Sequence, residues 1–472
     1  MITASRVDLY QLTSLVPHHA AGLSNAPVAM AFFSRRLPRE PLTQRPARGY
    51  LLWAGLQRCL DYLEQAAFTD ESLEGLQRHP TLGPALRAHP DLVQKLAQWR
   101  FRGEVHAPRE GTPLLAGEAV RLDGTPLDVD GVRPAAYCPY LVVETDLLSA
   151  KLIETPLLSI INTMTMVATK ASQIVHAARG RVVFEFGTRR VHLEEAVDSA
   201  VAAYIGGCTA TSNVEAGLRH GIPVAGTMDH FAVQAWERPG VPRHVTERAF
   251  FEAFHALYPG SDTLLVDTYD TFGARTGIRN AVAATNGTAA GIRIDSALTH
   301  ENIWRARRLL DDLGAKDTRI VVSGGLDEHR IEALGDAPVD GYGIGERIVT
   351  SPDAPVGVGA VGKLTMVNGR PSMKLSRGSG KATLPGLVQC WRTDHGDVVG
   401  LREETVAGTP LLSPVWDHDR GRLPAPTVAE VRDYAADCLA ALPSEAHAPR
   451  QVQVPVTDRM AALVEELVGE CE

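Results

Sequence analysis

The chain has 472 residues, 44% of them hydrophobic and 22% charged, which is enough for two or three packed domains without disulfide or metal staples. Its 47 basic and 56 acidic residues give a net charge of -9, the wrong sign for affinity won by neutralising a phosphate backbone. Nucleic acid is therefore excluded as a partner, while a local basic pocket for a small anion stays open. Cys59, Cys138, Cys208, Cys390, Cys438 and Cys471 are scattered, with no Cys-x-x-Cys pair, and predict reduced thiols without structural zinc. We find no run of about 18 apolar residues and no apolar signal core in the opening MITASRVDLYQLT, so the expectation is a cytoplasmic protein with no membrane partner.

In chain order, the first 150 residues mix helical runs with short extended pieces. Leu51 to Ala66 reads as a helix, and Arg102 to His106 and Pro113 to Leu122 as extended. From Lys151 to Ala178 apolar residues recur at three and four, predicting a long buried helix. From about residue 181 short β-branched runs alternate with helical segments. The runs are Val182 to Phe186, Pro223 to Ala225, Thr263 to Val266, Gly291 to Ile294, Arg319 to Val322 and Val339 to Ile344. One intervening helix carries Ile303, Ala306, Leu310 and Leu313 on a single stripe, with Gly314 at its end. This alternation predicts a parallel sheet, either a barrel or a doubly wound sheet. After about Val356 the pattern becomes loop-rich, and helices are expected near Val431 to Leu442 and at Arg459 to Val468.

In parallel α/β sheets ligands gather at the carboxyl ends of strands, and here those ends are polar. Asp267, Asp270 and Asp295 can hold ribose hydroxyls or a magnesium ion bridging pyrophosphate oxygens. Arg189, Arg190 and Arg293 offer guanidinium forks for a carboxylate or phosphate, although each alone reads equally as a surface ion-pair member. The turns SGGLD and GYGIG bring Gly324, Gly325, Gly343 and Gly345 where backbone N–H groups can approach an anion, with helix dipoles expected just beyond. Either cluster by itself also reads as a tight turn. His230 is the one histidine at a predicted strand end, and Asp229 beside it is placed to hold it protonated. SRGSGKAT fails as a phosphate loop, because Leu375 and Ala382 stand where glycine and a hydroxyl residue are required. Asn286 opens a glycosylation sequon relevant only to a secreted protein, and His18 and His19 read as surface residues without a metal-spaced partner.

Ordered motifs along nearly the whole chain resemble the nicotinate phosphoribosyltransferase family. They are DLYQLT, FFSRRLP, ETPLLSIIN, EFGTRR, AYIGG with TSN, GTMDH, LLVDTYDT, GIRNAV, RIDS, SGGLDEHRI, GYGIGERIVTS and MKLS with KATLPG. The resemblance implies an α/β protein: an irregular (β/α) barrel of type II phosphoribosyltransferases with an N-terminal α/β domain, working as a homodimer with shared active sites. It implies an N-terminal α/β domain at 1–150, the catalytic barrel at 151–355, and a C-terminal region at 356–472 packing back on the first.

The same resemblance assigns roles. Tyr10 of one subunit and Phe186 sandwich the pyridine ring, Arg189 and Arg293 flank it, and Ser212 stands where nicotinamide enzymes carry an aspartate. A neutral serine there favours a carboxylate over a carboxamide. His230 resembles the histidine phosphorylated when ATP hydrolysis is coupled. Asp267 and Asp295 resemble ribose and pyrophosphate contacts, with magnesium at the leaving group, and the four glycines resemble the 5'-phosphate cradle. The implied reaction joins nicotinate to phosphoribosyl pyrophosphate, forming nicotinate mononucleotide and pyrophosphate.

The sequence departs from the family pattern at several positions. The usual DSGD is Asp295-Ser296-Ala297-Leu298, the loop after the arginines reads Val191-His192-Leu193-Glu194, Glu346 follows the second glycine turn, and Asp229 precedes His230. These departures leave two alternatives beside the salvage reading: a divergent enzyme acting on another heteroaromatic acid, and an inactive nucleotide-binding homologue.

Overall fold

The computed structural model describes residues 2–39, 45–351 and 358–470. Cys471 and the expected boundary between 355 and 356 lie outside the described residues. The chain forms two compact units, Met1–Thr169 with Asp353–Glu472, and Lys170–Pro352.

The first unit is built on an antiparallel sheet of seven strands. Strand Ala360–Val367, from late in the chain, pairs directly with Pro27–Ser34 near its start, in the register Val28 to Val367 and Phe33 to Val361. On its other side Pro27–Ser34 pairs with Leu141–Asp146. Phe32, Phe33, Leu141, Val142 and Val143 are fully buried, and the ring of Phe33 stacks on Tyr137 with centroids 3.5 Å apart. Each such side chain contributes roughly 1.5–3 kcal/mol through removal from water.

Several local expectations are corrected here. The run Leu51 to Ala66 is not one helix: strand Leu51–Leu52 precedes a helix over Leu56–Gln65. Gly55, at φ 112, breaks the run. Having no side chain to cap with, its helix is capped by the buried Glu110 carboxylate, which accepts the N–H of Gly55 at 2.5 Å and of Leu56 at 3.0 Å. His19 is not a surface residue. It is 9% exposed, with Nε2 2.7 Å from Asp91 and Nδ1 3.2 Å from Ser24, and His89 beside it. His18 is half-buried. The helix Leu147–Ala177, 31 residues long, does reach the length and hydropathy of a bilayer-crossing segment, contrary to the composition reading. More than half of its most apolar window is buried within the protein.

The second unit carries six parallel strands. These are β1 (Val182–Glu185), β2 (Ala210–Thr211), β3 (Thr263–Leu265), β4 (Gly291–Ile294), β5 (Arg319–Ser323) and β6 (Gly341–Ile344), hydrogen-bonded in the order β3-β4-β5-β6-β1-β2. Val183, Leu264, Leu265, Ile292, Ile320, Val322 and Tyr342 are buried, as strands covered on both faces require.

The run Pro223 to Ala225 does not become a strand. It forms a single parallel bridge, Thr211 to Val224, because proline lacks the N–H needed to extend a ladder. The chain then closes toward β3 through side chains: Thr227 Oγ1 donates to the Thr263 carbonyl at 2.6 Å, and Leu265 N–H approaches Met228 Sδ at 3.4 Å. The ring of strands is thus a barrel with one irregular side.

Candidate active site

The carboxyl ends of β3, β4 and β5 converge on one set of side chains. Asp267, two residues past β3, has a side chain only 2% exposed. Its Oδ2 accepts the Asp295 N–H at 2.9 Å and the Ser296 hydroxyl at 2.6 Å. Its Oδ1 is buried, has no hydrogen-bond partner among the described residues and lies 4.0 Å from His230 Nε2. Asp295, just past β4, directs Oδ2 to the same nitrogen, also at 4.0 Å, while Oδ1 accepts a short hydrogen bond from the Ser323 hydroxyl at the end of β5. Thr268 fixes the other side of the imidazole, with Oγ1 3.0 Å from Nδ1. One histidine therefore faces two carboxylates, and its ring has a defined orientation.

Arg293 lies in β4 and points toward the same space. Its Nη2 donates to the Met228 carbonyl at 2.8 Å, and its Nε is buried with no hydrogen-bond partner among the described residues. Burial pulls this guanidinium below its ordinary value, Arg189 adds to that effect, and Asp295 and Asp267 oppose it. A buried cation with an unengaged donor is suited to bind a further anion. Arg189 is exposed in the turn Thr188–Arg190, and Arg190 lies 3.9 Å from Glu346.

The glycine turns have different physical reasons. Gly324 sits at φ +103, and a Cβ there would lie 2.1 Å from the Asp295 carbonyl oxygen. Gly325, at φ +64, receives Arg330 Nη1 on its carbonyl at 3.0 Å. Among the described residues, none accepts the N–H of Gly324, Gly325 or Gly345. Gly343 is small because Phe186 covers it: a Cβ there would lie 2.4 Å from the ring. A Cβ on Gly345 would meet the Phe186 carbonyl at 2.8 Å. The helix dipoles expected beyond both turns are weak. Helix Glu328–Leu334 has only seven residues and is capped by Asp327, and Glu346–Val349 has four with an acidic first residue.

Other candidates fall into place less directly. The Ser212 N–H donates to the Glu185 carbonyl at 2.8 Å, beside the TSN turn in which Asn213 caps the next helix. Tyr10 belongs to the first unit, on helix Leu9–Ala20, and is 55% exposed. Asp270 is no partner of Asp267: it is exposed and accepts the Phe272 N–H, closing its own turn. Asp229 does not face His230. Its carboxylate accepts the Ala232 N–H at 2.9 Å as the cap of helix His230–Gln234.

Two of the remaining departures from the motif pattern have a local reading. Leu193 is 80% exposed, so its bulk turns to solvent. Ala297, where the pattern has glycine, lies in the left-handed region at φ 50.

The residues that orient the candidates carry no assigned role in the sequence reading. Thr268, Ser296 and Ser323 follow strand runs directly and hold His230, Asp267 and Asp295. Glu185, 1% exposed, has its carboxyl pushed above its ordinary value by burial, and it ties Thr211 at 2.5 Å to the Gly187 turn. Its place in EFGTRR, at the last residue of β1, was the available signal.

Nearly the whole chain is similar to known proteins. Residues 6–162 match the nicotinate phosphoribosyltransferase (NAPRTase) N-terminal domain family. Two nicotinate phosphoribosyltransferases of Mycobacterium tuberculosis are similar to it. One is 35% identical over 449 residues, 93% of this chain and 87% of that one; the other is 38% identical over 437, 92% and 87%. The crystal structure of human nicotinic acid phosphoribosyltransferase superposes with a TM-score of 0.76 at 26% identity, covering 98% of this chain and 100% of that one.

Proposed function

The chain belongs to the nicotinate phosphoribosyltransferase family, and we propose that it joins nicotinate to the anomeric carbon of phosphoribosyl pyrophosphate, releasing pyrophosphate. The observation that carries this reading is the unfilled pairing at the strand ends. Among the described residues, buried Asp267 Oδ1 and buried Arg293 Nε have no hydrogen-bond partner beside Asp295 and His230, in a site that offers both hard anionic donors and a guanidinium.

In this reading Arg293 and Arg189 hold the nicotinate carboxylate, and the neutral side chain of Ser212 does not repel it. Phe186 supplies one face of the ring stack, and Tyr10 of the partner subunit supplies the other in a homodimer. Gly324 and Gly325, with Gly343 and Gly345, offer backbone N–H groups to the 5'-phosphate. The bond from the anomeric carbon to pyrophosphate breaks through an oxocarbenium-like state as the pyridine nitrogen attacks, so the rate comes chiefly from positioning and charge stabilisation.

Asp267 and Asp295 present carboxylate oxygens, the donors magnesium takes, and Asp267 Oδ1 has no competing partner among the described residues. When bound, the ion neutralises the departing pyrophosphate. His230, held by Thr268 and exposed on 42% of its side chain, is the group that takes a phosphoryl group when ATP is coupled. A soluble, cytoplasmic enzyme of NAD synthesis fits this chemistry.

The test is pyrophosphate release by purified protein with nicotinate, phosphoribosyl pyrophosphate and magnesium, with and without ATP. Nicotinate-dependent release is expected. Release with another heteroaromatic acid but not nicotinate would replace the acceptor, and binding without any turnover would make the chain an inactive homologue.

A further inference from the structure

Lys170 is 2% exposed, and a buried ammonium is stable only when paired. Its Nζ lies 2.8 Å from Oε1 and 2.7 Å from Oε2 of Glu328, which is itself 8% exposed. The reaction described above uses neither residue.

Both members occupy telling positions. Lys170 lies toward the end of the long helix Leu147–Ala177. Glu328 is the first residue of the helix Glu328–Leu334, immediately after the turn Ser323 to Asp327 that carries Gly324 and Gly325. Within that turn, Asp327 Oδ1 accepts the Arg330 N–H at 2.9 Å and Arg330 Nη1 donates to the Gly325 carbonyl at 3.0 Å. On its other side Gly324 rests against the Asp295 carbonyl. These contacts shape the turn, and the Lys170 pair anchors it to the long helix.

An apolar pair of similar volume would fill the same space without the desolvation cost of two ions. What an ion pair adds is a fixed direction between its two carriers. We infer that Lys170 and Glu328 are positioning residues for the phosphate cradle: their buried pair sets where the Gly324 and Gly325 N–H groups point, and so how tightly the 5'-phosphate is held. This rests on reading those glycines as the cradle. Because the 5'-phosphate does not react, its contacts are equal in the ground and transition states, and their loss appears in KM rather than kcat.

The experiment uses the full chain and phosphoribosyl pyrophosphate itself, titrated by calorimetry and varied in steady-state assays. Lys170→Met and Glu328→Gln each remove one charge of the buried pair and are expected to lower Tm. The double variant Lys170→Met/Glu328→Met removes both charges and is expected to regain most of that Tm. With Tm regained, the double variant binds phosphoribosyl pyrophosphate about tenfold more weakly, with KM raised in parallel, kcat within about twofold, and KM for nicotinate unchanged.

A purely structural pair predicts a double variant with restored Tm and wild-type affinity, and that result would overturn the inference. Should the double variant not regain Tm, Lys170→Arg keeps the charge but lengthens the link. It is expected to weaken binding at near wild-type Tm, and unchanged binding there is equally fatal. A wild-type chain that does not bind phosphoribosyl pyrophosphate refutes the cradle itself, whereas a wild-type chain that binds no better than the variants refutes only the role of the pair.

Discussion

Replacing Gly324 by alanine tests the cradle and the acid network in one step. A Cβ at this position lies 2.1 Å from the Asp295 carbonyl oxygen, where a carbon–oxygen contact needs about 3.3 Å, so one of the two must retreat by about 1.2 Å. Asp295 cannot retreat alone. Its N–H is bound to Asp267 and its carboxylate to Ser323, the residue preceding Gly324. The φ of +103 adds strain for any side chain. A misplacement near 1 Å at a site of this kind costs about a hundredfold in rate, or roughly 2.7 kcal/mol in the barrier. Gly324→Ala is therefore expected to lower kcat/KM for phosphoribosyl pyrophosphate by about two orders of magnitude, and stability by about 1–3 kcal/mol. Pyrophosphate release at saturating nicotinate and thermal denaturation measure the two effects. A folded Gly324→Ala variant with kcat/KM within about threefold of wild type would refute the reasoning.

Further expectations follow from other residues. Ala297→Gly relieves a left-handed alanine at φ 50 and should raise stability by about 1 kcal/mol in urea denaturation; a loss would show that Ala297 is not strained. Gly343→Ala drives a methyl into the Phe186 ring, 2.4 Å away, and should raise KM for the aromatic acid about tenfold; an unchanged KM would remove Phe186 from the ring stack. Burial pushes the Glu247 carboxyl up from its ordinary 4.5 to about 7, so the folded chain holds an extra proton between those pH values. The stability this contributes is present below pH 4.5 and is lost as pH rises through 7, by roughly 3 kcal/mol at most. Glu247→Gln should therefore flatten the fall of Tm between about pH 5 and 8, and an unchanged slope would assign it elsewhere. His230→Ala should abolish any stimulation by ATP and lower kcat, and retained stimulation would remove the histidine from that role.

The sequence by itself determined the parallel α/β class, because β-branched runs alternating with helical stripes can bury their faces in few other ways. It also singled out Asp267, Asp295, Arg293 and Gly324, which follow or lie within legible strands, and His230, which comes after a run that forms only a single bridge. Local pattern failed where partners come from far away. Pro223 to Ala225 reads as a strand but forms only one bridge, Val224 to Thr211. Asp229 reads as the neighbour of His230 and is in fact its helix cap. That Asp270 stands apart from Asp267, that one oxygen of Asp267 is left without a hydrogen-bond partner among the described residues, and that Lys170 meets Glu328 were decided by tertiary structure alone. The physical reason is common to all of them. A side chain's type is written at its own position, but burial and hydrogen-bond partners depend on which strand ends the barrel brings together, and those lie tens of residues or more apart along the chain.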